Sequence, residues 1–485
     1  MIFLMDHPGR EAALLYQSLQ KAGYSFRTVA LEDDGFLPEG VESPYRYFGG
    51  WKREKQAVPR YFSRLEVPDL WEIRSTDTEG SVWDYETKRA QIRYAEPVSR
   101  RYIQTVSWLD SAGKSVWQDH YDDAGNLYAR TTCDAEGRAV LRSYYAEGGE
   151  ERLVENLQTH MILLREKTEN GRPEEHLFRG KVEFILYYLK KTKADCSRIF
   201  FNSLSYPLFV QRQIRSGEAA FGKQNPGIRS QTGTQTMQER EKNRKSGGDV
   251  LFWQEDIYGK LPGNMVTVLN DPMGVTRIAV QSPETFHKIR KQIRDHAGEN
   301  GIAEAERAEH VFCPVGQIYS VENPVKEKRS ICILTNSDAI EHLSELTGAL
   351  PQYTFRIGAL TEMSDKLMAM GRKPNVFLYP GMGEKLARRL LEESEFYLDI
   401  NHGNEIVDAV WNAWLHRSVL FAFRETVHNP SYVPAENIVA SDDWNNLIRK
   451  IREADESDEA RKQSLQKQDK WAMRMEAADY RRLLG

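Results

Sequence analysis

The segment 399–408, D-I-N-H-G-N-E-I-V-D, carries the most informative side chains of this 485-residue chain. Amide, imidazole and carboxylate groups surround a glycine within five consecutive residues: Asn401, His402, Gly403, Asn404 and Glu405. Such groups can bind a phosphate, a carboxylate or a sugar hydroxyl, and the glycine lets backbone approach a ligand closely. A loop end whose polar groups satisfy one another is the alternative.

Three further loops with small or hydrogen-bonding residues follow short apolar segments: 335–338 (T-N-S-D), 358–363 (G-A-L-T-E-M) and 380–383 (P-G-M-G). Each precedes a helical pattern, and the free N–H groups at a helix start can receive an anion or a hydroxyl. The candidate ligand-binding residues in these loops are Asn336, Ser337, Thr361 and Glu362. The alternative is plain helix capping by Ser337, Asp338, Thr361 and Ser364.

Several common kinds of functional site lack sequence support. The G-x-S-x-G, Walker, H-E-x-x-H and G-x-G-x-x-G motifs are absent, which disfavours hydrolase, P-loop, metalloprotease and dinucleotide-binding functions. The cysteines are too widely spaced for a zinc site or a disulfide scaffold, so we expect reduced thiols: Cys133, Cys196, Cys313 and Cys332. We expect no metal and no cofactor, and a net charge of −5 gives no reason to expect a nucleic-acid partner.

Size and composition indicate a globular protein of two or three domains. Hydrophobic residues make up 40% and charged residues 28% of the chain. No run approaches the roughly 20 apolar residues that cross a bilayer. The opening M-I-F-L-M-D is typical of a short strand rather than of a secretory signal, so we expect a cytoplasmic protein.

The first part of the chain shows the pattern of an α/β domain. An apolar strand at 2–5, a helical pattern with Gly23 as its stop, and a strand at 25–30 form a β-α-β opening. Further apolar strands are predicted at 198–202, 250–253 and 277–280. A segment of different periodicity interrupts this series.

That segment predicts an antiparallel meander. Asp-x-x-Gly recurs every 12 residues at 110–113, 122–125 and 134–137, with alternating strands between the repeats. Asp and Gly supply the backbone conformations that hairpin turns need. Aromatic residues populate the sheet, and they either pack on their own chain or form a partner interface: Trp108, Trp117, Tyr121, Tyr128 and Tyr144.

A second α/β domain begins near Ser330. Its predicted strands are apolar throughout, as in a parallel sheet between helices: 331–334, 355–357, 376–379, 396–398 and 419–422. The basic polar stretch 213–248 is either a mobile loop or a flap over an acidic or phosphate-bearing partner. We predict a split N-terminal Rossmann-like domain, an inserted sheet, a C-terminal Rossmann-like domain and a charged helical tail: 1–64 with 166–322, then 65–165, 323–450 and 451–485. Ligands are expected at the carboxyl ends of the strands, in the crevice between the Rossmann-like domains.

Seven segments occur along the chain in a characteristic order: L-E-D-D-G-F-L-P-E-G-V-E-S-P at 31–44, R-I-F-F-N-S-L-S at 198–205, D-V-L-F-W-Q-E at 249–255, L-P-G-N-M at 261–265, I-L-T-N-S-D at 333–338, I-G-A-L-T-E-M-S at 357–364 and L-D-I-N-H-G-N-E-I at 398–406. In these segments the chain resembles the GtfB-type family, the accessory stabilising subunits of two-component O-GlcNAc transferases that modify serine-rich repeat adhesins in the accessory Sec system. The resemblance spans roughly residues 1 to 450.

The resemblance implies a GT-B fold of two Rossmann-like halves, with the meander meeting a GtfA-type catalytic partner. It also implies that the partner transfers GlcNAc from UDP-GlcNAc to Ser or Thr. This subunit would then stabilise the partner and hold the serine-rich repeat adhesin polypeptide, with no catalytic residue of its own. A peripheral position on the inner face of the cell membrane would be compatible with that role.

A comparison with retaining GT-B enzymes supports the non-catalytic interpretation. Those enzymes hold the donor with two glutamates separated by seven residues, and the same spacing counted from His402 reaches Val410. Asp408 is out of step and Glu405 is too near His402, so we predict no transferase activity for the chain alone. Two alternatives remain: an active UDP-sugar-dependent transferase that uses Asn401, His402 and Glu405, and a scaffold that only shields its partner.

Overall fold

The computed structural model describes residues 1–51, 57–76, 78–167, 171–217, 247–255, 257, 259–282, 285–292 and 311–485. Most of the basic stretch 213–248 lies outside these residues. The chain divides into two compact units, Met1–Pro314 with Tyr480–Gly485, and Val315–Asp479. Each unit has its own hydrophobic core.

The first unit contains a parallel sheet of seven strands in the order β17-β16-β15-β14-β1-β2-β3. Its strands are β1 Ile2–Met5, β2 Arg27–Ala30, β3 Val41–Glu42, β14 Ile199–Phe201, β15 Asp249–Trp253, β16 Val275–Val280 and β17 Phe312–Pro314. β1 and β15 are buried at every position, because a parallel sheet between helices needs apolar residues on both faces. The helices of this unit include Arg10–Lys21, Pro44–Gly49, Lys181–Lys191, Tyr206–Ser216 and Gly263–Asn270.

An antiparallel sheet of ten strands, paired in sequence order, is inserted between β3 and β14. Its strands are β4 Glu72–Ser75, β5 Glu79–Asp84, β6 Thr87–Tyr94, β7 Ile103–Leu109, β8 Ser115–Tyr121, β9 Leu127–Cys133, β10 Ala139–Tyr145, β11 Glu151–Asn156, β12 Ile162–Lys167 and β13 Pro173–Phe178. The predicted meander is therefore present. The sheet continues to Phe178, beyond the predicted end at 165. The sequence did not reveal the last strand, because β13 is an edge strand whose residues, P-E-E-H-L-F, lack an alternating apolar pattern.

The Asp-x-x-Gly repeats form the expected hairpin turns. Asp122 Oδ1 accepts the backbone N–H groups of Ala124 at 3.0 Å and Asn126 at 2.8 Å, and Gly125 has a φ of +80°. The turns at Asp110 and Asp134 repeat this pattern. The carboxylate fixes the turn while the glycine takes the left-handed conformation that other residues resist.

The second unit contains a parallel sheet of six strands in the order β20-β19-β18-β21-β22-β23. Its strands are β18 Glu327–Leu334, β19 Thr354–Gly358, β20 Val376–Tyr379, β21 Ser394–Asp399, β22 Val419–Phe423 and β23 Ile438–Val439. Its helices include Leu343–Ala349, Asp365–Met370, Glu384–Glu393, Ala409–Leu415, Trp444–Asp455 and Asp458–Trp471.

The charged tail is divided between the two units. In the helix Asp458–Trp471, Gln468 is fully buried and hydrogen-bonds the β22 backbone, accepting from Leu420 N at 2.6 Å and donating to Ser418 O at 3.0 Å. Tyr480, on the last helix, Ala477–Leu484, is buried in the first unit. Because apolar residues are few in this tail, the buried side-chain amide of Gln468 helps to hold the helix against the second unit.

Candidate functional site

Four loops at one edge of the second unit carry all the predicted ligand-binding residues. They follow β18, β19, β20 and β21 and span 335–338, 359–364, 380–383 and 400–408; we call them the strand-end loops. The strands are parallel, so their carboxyl ends meet at one edge, where α/β sheets commonly bind ligands.

Hydrogen bonds join neighbouring strand-end loops. Asn336 Oδ1 accepts from Leu360 N at 3.0 Å and lies 3.5 Å from Thr361 Oγ1. Thr361 O in turn accepts from Gly381 N at 2.9 Å. The backbone N–H of His402 donates to Ala339 O at 3.0 Å, which ties the fourth loop to the first. The structure therefore brings Asn336, Thr361 and His402 onto a single edge.

A buried ion pair supports the fourth loop from beneath. Asp399, at the end of β21, is fully buried, and its Oδ1 lies 2.5 Å from His428 Nδ1 while its Oδ2 accepts from His428 N at 2.7 Å. The hydrogen bond to Asp399 raises the pKa of His428 to about 9 against the opposing effect of burial. His428 is therefore protonated at neutral pH, and its Nε2 donates to Gly403 O at 2.6 Å.

Sequence reasoning missed His428. It follows β22, 29 residues after its partner. A signal was present, since a strand-end aspartate between buried apolar residues needs a cation or several donors to remain ionised. The sequence did not say which residue would supply them.

Asn401 and Gly403 shape the loop around this ion pair. Asn401 is only 1% exposed, its Nδ2 lies 3.4 Å from Gly403 O, and its buried Oδ1 has no hydrogen-bond partner among the described residues. A Cβ on Gly403 would lie 3.0 Å from Ser337 Cβ, so glycine permits the close approach of the two loops. Asn401 thus supports the loop, while its neighbours form the outer surface.

His402 and Asn404 are exposed on that surface. His402 Nε2 contacts the carboxylate of Glu341, which also accepts a hydrogen bond from Ser441 Oγ. The hydrogen bonds from Ser441 and His402 lower the pKa of Glu341. The imidazole is therefore oriented by a carboxylate.

Glu405 is engaged in local structure. Its Oε1 accepts from Val410 N at 2.8 Å, at the start of the helix Ala409–Leu415. Burial raises the pKa of Glu405, and the nearby carboxylates of Asp399 and Asp408 act in the same direction. Val407 and Asp408 have φ values of +49° and +46°. A positive φ is strained for a β-branched residue, so the backbone here is held in an unfavourable conformation by its surroundings.

The remaining predicted residues divide between capping and exposure. Ser337 Oγ accepts from Ala339 N at 3.1 Å, and Ser364 Oγ accepts from Leu367 N at 3.3 Å as the N-cap of its helix. Ser364 therefore takes the capping role, whereas Ser337 closes a turn before any helix begins. Thr361 and Glu362 are exposed, and their side chains face solvent at the same edge.

The strand-end loops carry no cationic side chain of the lysine or arginine type. The charged His428 is committed to Asp399, and His402 contacts Glu341. The loops therefore offer amides, hydroxyls, backbone groups and the exposed carboxylates of Asp338, Glu362 and Asp408 to a ligand. Among the described residues, no cluster of His, Cys, Asp and Glu could hold a metal ion, and no helix has the length and apolar character needed to span a membrane.

The aromatic residues of the inserted sheet fall into two groups. Tyr121, Tyr128 and Tyr144 are buried within this chain, so they cannot form a partner interface as predicted for them. Tyr144 stacks on Tyr45 with ring centroids 4.7 Å apart. These three residues instead fill the layer between the inserted sheet and the elements it packs against.

Trp108 and Trp117 are partly exposed. Their rings stack with centroids 6.0 Å apart, and the Arg130 guanidinium lies 5.6 Å from the Trp117 ring centroid. Asp119 accepts from Trp108 Nε1 at 2.9 Å and from Arg130 Nε at 2.6 Å. We call Trp108, Trp117 and Arg130 the tryptophan patch.

Comparison with known proteins agrees with this architecture. Family profiles described as the GtfB N-terminal domain, GtfB middle domain, GtfB third domain and GftB/GlyA-F C-terminal domain match 2–48, 71–176, 181–221 with 233–292, and 331–468. The chain is 34% identical over 453 residues to the UDP-N-acetylglucosamine–peptide N-acetylglucosaminyltransferase stabilizing protein GtfB of Streptococcus agalactiae, covering 93% of this chain and 92% of that one. It is 36% identical over 433 residues to the protein of the same name from Streptococcus parasanguinis, covering 89% and 88%.

A solved structure described as a GtfA/B complex bound to UDP and GlcNAc contains a chain that is similar over its whole length. The TM-score is 0.84 and the sequence identity 31%, with 100% of each chain covered. This likeness confirms the predicted GT-B fold. The chain belongs to the GtfB family of UDP-N-acetylglucosamine–peptide N-acetylglucosaminyltransferase stabilizing proteins.

Proposed function

We propose that this chain is the non-catalytic subunit of a two-component peptide O-GlcNAc transferase. It stabilises a GtfA-type catalytic subunit and holds the serine-rich acceptor polypeptide while the partner adds GlcNAc to Ser or Thr. The names of the curated relatives and the GtfA/B complex support the pairing. The hydrogen-bonding groups of the strand-end loops, which include no lysine or arginine, support acceptor binding.

The absence of lysine and arginine from the strand-end loops is the observation that carries this proposal. A nucleotide diphosphate is usually held by cationic side chains as well as by helix N-termini. A Ser/Thr-rich polypeptide is nearly uncharged and flexible, and many hydrogen bonds are needed to offset the entropy of ordering it. Exposed His402, Asn404, Thr361 and Glu362 offer such bonds without a cationic centre.

The positions of the acids argue in the same direction. Glu405 accepts a helix-start N–H and is half buried, so it is not free to hold a ribose. Val410, where the donor-binding spacing would require an acid, is an apolar residue with no exposed surface. A complete donor clamp is therefore missing, and we propose that the donor binds on the catalytic partner.

We assign the partner contact to the inserted sheet, centred on the tryptophan patch. Tryptophan and arginine are the residues most often found at the energetic centre of protein interfaces. Trp117 Nε1 is buried without a hydrogen-bond partner among the described residues, although its ring is partly exposed. A partner that covers the two rings would extend an apolar surface that the chain has already arranged.

We also propose a cytoplasmic location, with peripheral attachment to the inner face of the membrane through the assembled complex. All four cysteines are free thiols, in keeping with a reducing compartment.

Calorimetric titration of the chain tests the acceptor role. We expect a Ser/Thr-rich peptide to bind, and UDP and UDP-GlcNAc to give no heat of binding. Binding of UDP-GlcNAc by the folded chain would instead favour an active transferase.

Thermal unfolding of a GtfA-type transferase tests the stabilising role. A ligand that binds only the folded state raises the unfolding temperature in a concentration-dependent way, and we expect this chain to do so. An unchanged unfolding temperature at saturating chain would contradict the proposal.

A further inference from the structure

The Glu341 carboxylate connects segments that follow three different strands of the second unit. Glu341 itself comes after β18, and its side-chain partners are His402, after β21, and Ser441, after β23. The Glu341 side chain is 26% exposed, so it forms part of the same edge as the strand-end loops. It is not among the residues predicted to bind a ligand, and its contacts indicate a different role.

The backbone places Glu341 and His402 side by side. Segments 339–341 and 400–402 form an antiparallel bridge, in which Glu341 N donates to Ile400 O at 2.8 Å. Side chains alternate between the two faces of such a pair, and residues opposite each other share a face. Because Glu341 lies opposite Ile400, two residues before His402, the Glu341 and His402 side chains lie on one face.

The hydrogen positions in this contact follow from the chemistry of the two groups. Hydrogen bonds from Ser441 and His402 lower the pKa of Glu341, so its carboxylate is ionised at neutral pH and can only accept. The Nε2 atom of His402, which contacts Glu341 Oε2, must therefore carry a hydrogen. A neutral imidazole has a single N–H group, so its Nδ1 atom is left as a hydrogen-bond acceptor.

The other carboxylate oxygen of Glu341 is held as well. Ser441 Oγ donates its only hydrogen to Glu341 Oε1, and it lies 3.2 Å from His342 Nε2, from which it can only accept. The His342 ring is stacked on Trp444, with ring centroids 5.9 Å apart. These contacts keep the Glu341 carboxylate in one orientation toward His402.

His402 offers its second ring nitrogen to a ligand. The side chain is 44% exposed, and in the part of the chain that the structure describes Nδ1 has no hydrogen-bond partner. We propose that Glu341 is a positioning residue that holds His402 as the Nε2–H tautomer, so that Nδ1 selects groups that donate a hydrogen bond. A peptide N–H or a serine or threonine hydroxyl fits this requirement, whereas a group that only accepts does not. The ligand class rests on the proposed function, and the tautomer does not.

Imidazole nitrogen shifts of the full chain, labelled with isotopic histidine, test the tautomer at about pH 8, where an ordinary imidazole is neutral. We expect a protonated Nε2 and an unprotonated Nδ1 for His402, whose signals disappear in His402→Gln. Glu341→Gln keeps the shape of the side chain and the bond with Ser441, but its amide can donate as well as accept, so a mixture of tautomers should result. Glu345→Gln is the matched control: Glu345 lies 3.9 Å from His342 Nδ1, and its loss should leave the His402 signals unchanged.

Calorimetric titration with a Ser/Thr-rich peptide tests the ligand class. His402→Gln retains a polar group near the position of Nε2 but has none at that of Nδ1, and it should weaken binding about threefold to tenfold. Glu341→Gln should weaken binding about twofold to threefold, because only part of the imidazoles keep the binding tautomer. The double variant should match His402→Gln alone, since both changes act through one contact. Sulfate, which only accepts hydrogen bonds, should leave the His402 signals unchanged up to roughly 10 mM.

Three results separate the parts of this inference. A protonated Nδ1 in the wild type, or an unchanged His402 tautomer in Glu341→Gln, would overturn the positioning role. Additive losses of affinity in the double variant, or a response of His402 to sulfate, would overturn the ligand class. If the tautomer is as expected but the wild type binds no peptide, the proposed acceptor role fails and the ligand class fails with it, while the positioning of His402 by Glu341 stands.

Discussion

The polar residues that follow the strands β1 and β2 of the first unit are mainly acidic, whereas amides and hydroxyls accompany the acids Asp338 and Glu362 after β18 and β19 of the second. In the first unit, Asp34 accepts from Gln104, and the backbone carbonyl of Asp33 accepts from the Tyr128 hydroxyl at 3.2 Å. The two donor residues, Gln104 and Tyr128, lie at β-bulges, where the register of the strand pairs β6–β7 and β8–β9 shifts. A bulge redirects the side chain of the extra residue. The inserted sheet is thereby attached to that edge.

The second unit has no lysine or arginine in its strand-end loops and places its ion pair beneath the surface, between Asp399 and His428. Two parallel sheets with the same architecture thus use their strand ends differently. In the first unit the strand ends pack mainly against the inserted sheet of the same chain. In the second unit the strand ends leave hydrogen-bonding groups exposed. The residues after each strand, rather than the strands, decide this difference.

Loss of His428 should have the largest effect on the second edge. His428→Ala leaves the fully buried Asp399 carboxylate without its cation, and we expect a cost of about 3 kcal/mol in the stability of β21 and β22. Hydrogen exchange of the backbone amides in these two strands measures this loss of stability separately from any change in the first unit. The control His402→Ala removes an exposed contact with the Glu341 carboxylate and should cost less than about 1 kcal/mol. Equal effects would mean that the buried pair does not support the loop.

The same ion pair predicts a pH dependence. The folded pKa of His428, about 9, lies above its ordinary value of 6.5. Its stabilising contribution is therefore complete below 6.5 and is lost as the pH rises through about 9. Protection of the β21 and β22 amides, taken as the observed exchange rate relative to the intrinsic rate at each pH, should fall over that interval in the wild type and change less in His428→Ala. An identical pH profile for the two proteins would contradict the assignment.

Gly35→Ala probes the docking of the inserted sheet to the first edge. Gly35 has a φ of +87°, and a Cβ there would lie 2.6 Å from Tyr121 O. We expect about 2 kcal/mol of destabilisation, from the clash and the strained backbone together, measured by urea unfolding. Gly23→Ala, with a φ of +86° and nothing within 4 Å, isolates the backbone contribution and should cost about 1 kcal/mol. Equal costs would show that the contact with Tyr121 is not tight.

Trp117→Ala tests the exposed part of the inserted sheet. Truncation of an interface tryptophan commonly costs about 2 kcal/mol, so affinity for a GtfA-type transferase should fall roughly thirtyfold. Surface plasmon resonance with the immobilised partner measures this fall. Tyr85→Ala is a suitable control, because Tyr85 is exposed on another hairpin of the same sheet. A larger loss from the control would place the contact elsewhere on the sheet.

Asn404→Ala should have the smallest effect. Loss of one neutral hydrogen bond at the exposed strand-end loops should weaken binding of a Ser/Thr-rich peptide by about threefold to tenfold. Calorimetry compares it with Asn445→Ala, an exposed asparagine on the helix Trp444–Asp455. Unaltered affinity in Asn404→Ala, together with intact binding in His402→Ala, would remove these loops from the acceptor site.

The sequence predicted the parts of the fold that follow from periodicity. Apolar strands such as Val376–Tyr379 and the Asp-x-x-Gly hairpins were recognisable because burial on both faces and turn geometry leave direct patterns. Short or charged edge strands such as Val41–Glu42 and Pro173–Phe178 were not, since pairing to a neighbour defines them more than composition does.

The candidate site was predicted only in outline. The strand-end positions of His402 and Asn404 followed from topology, but Asn401 proved to be buried and Glu405 to cap a helix. The aromatic residues Tyr128 and Tyr144 were correctly predicted to lie on a sheet, but the sequence did not show that their side chains would be buried within this chain. Which face of a long sheet is covered depends on tertiary packing, and so does the cation that meets a buried aspartate.

The central claim is that this chain needs a catalytic partner. A glycosylation assay with a Ser/Thr-rich peptide and UDP-GlcNAc, using the chain alone, a GtfA-type transferase alone and the two together, tests it most directly. We predict no transfer by the chain alone and more transfer by the mixture than by the transferase alone. Transfer of GlcNAc by the chain alone would contradict the account, and it would mean that the acids around His402 hold the donor after all.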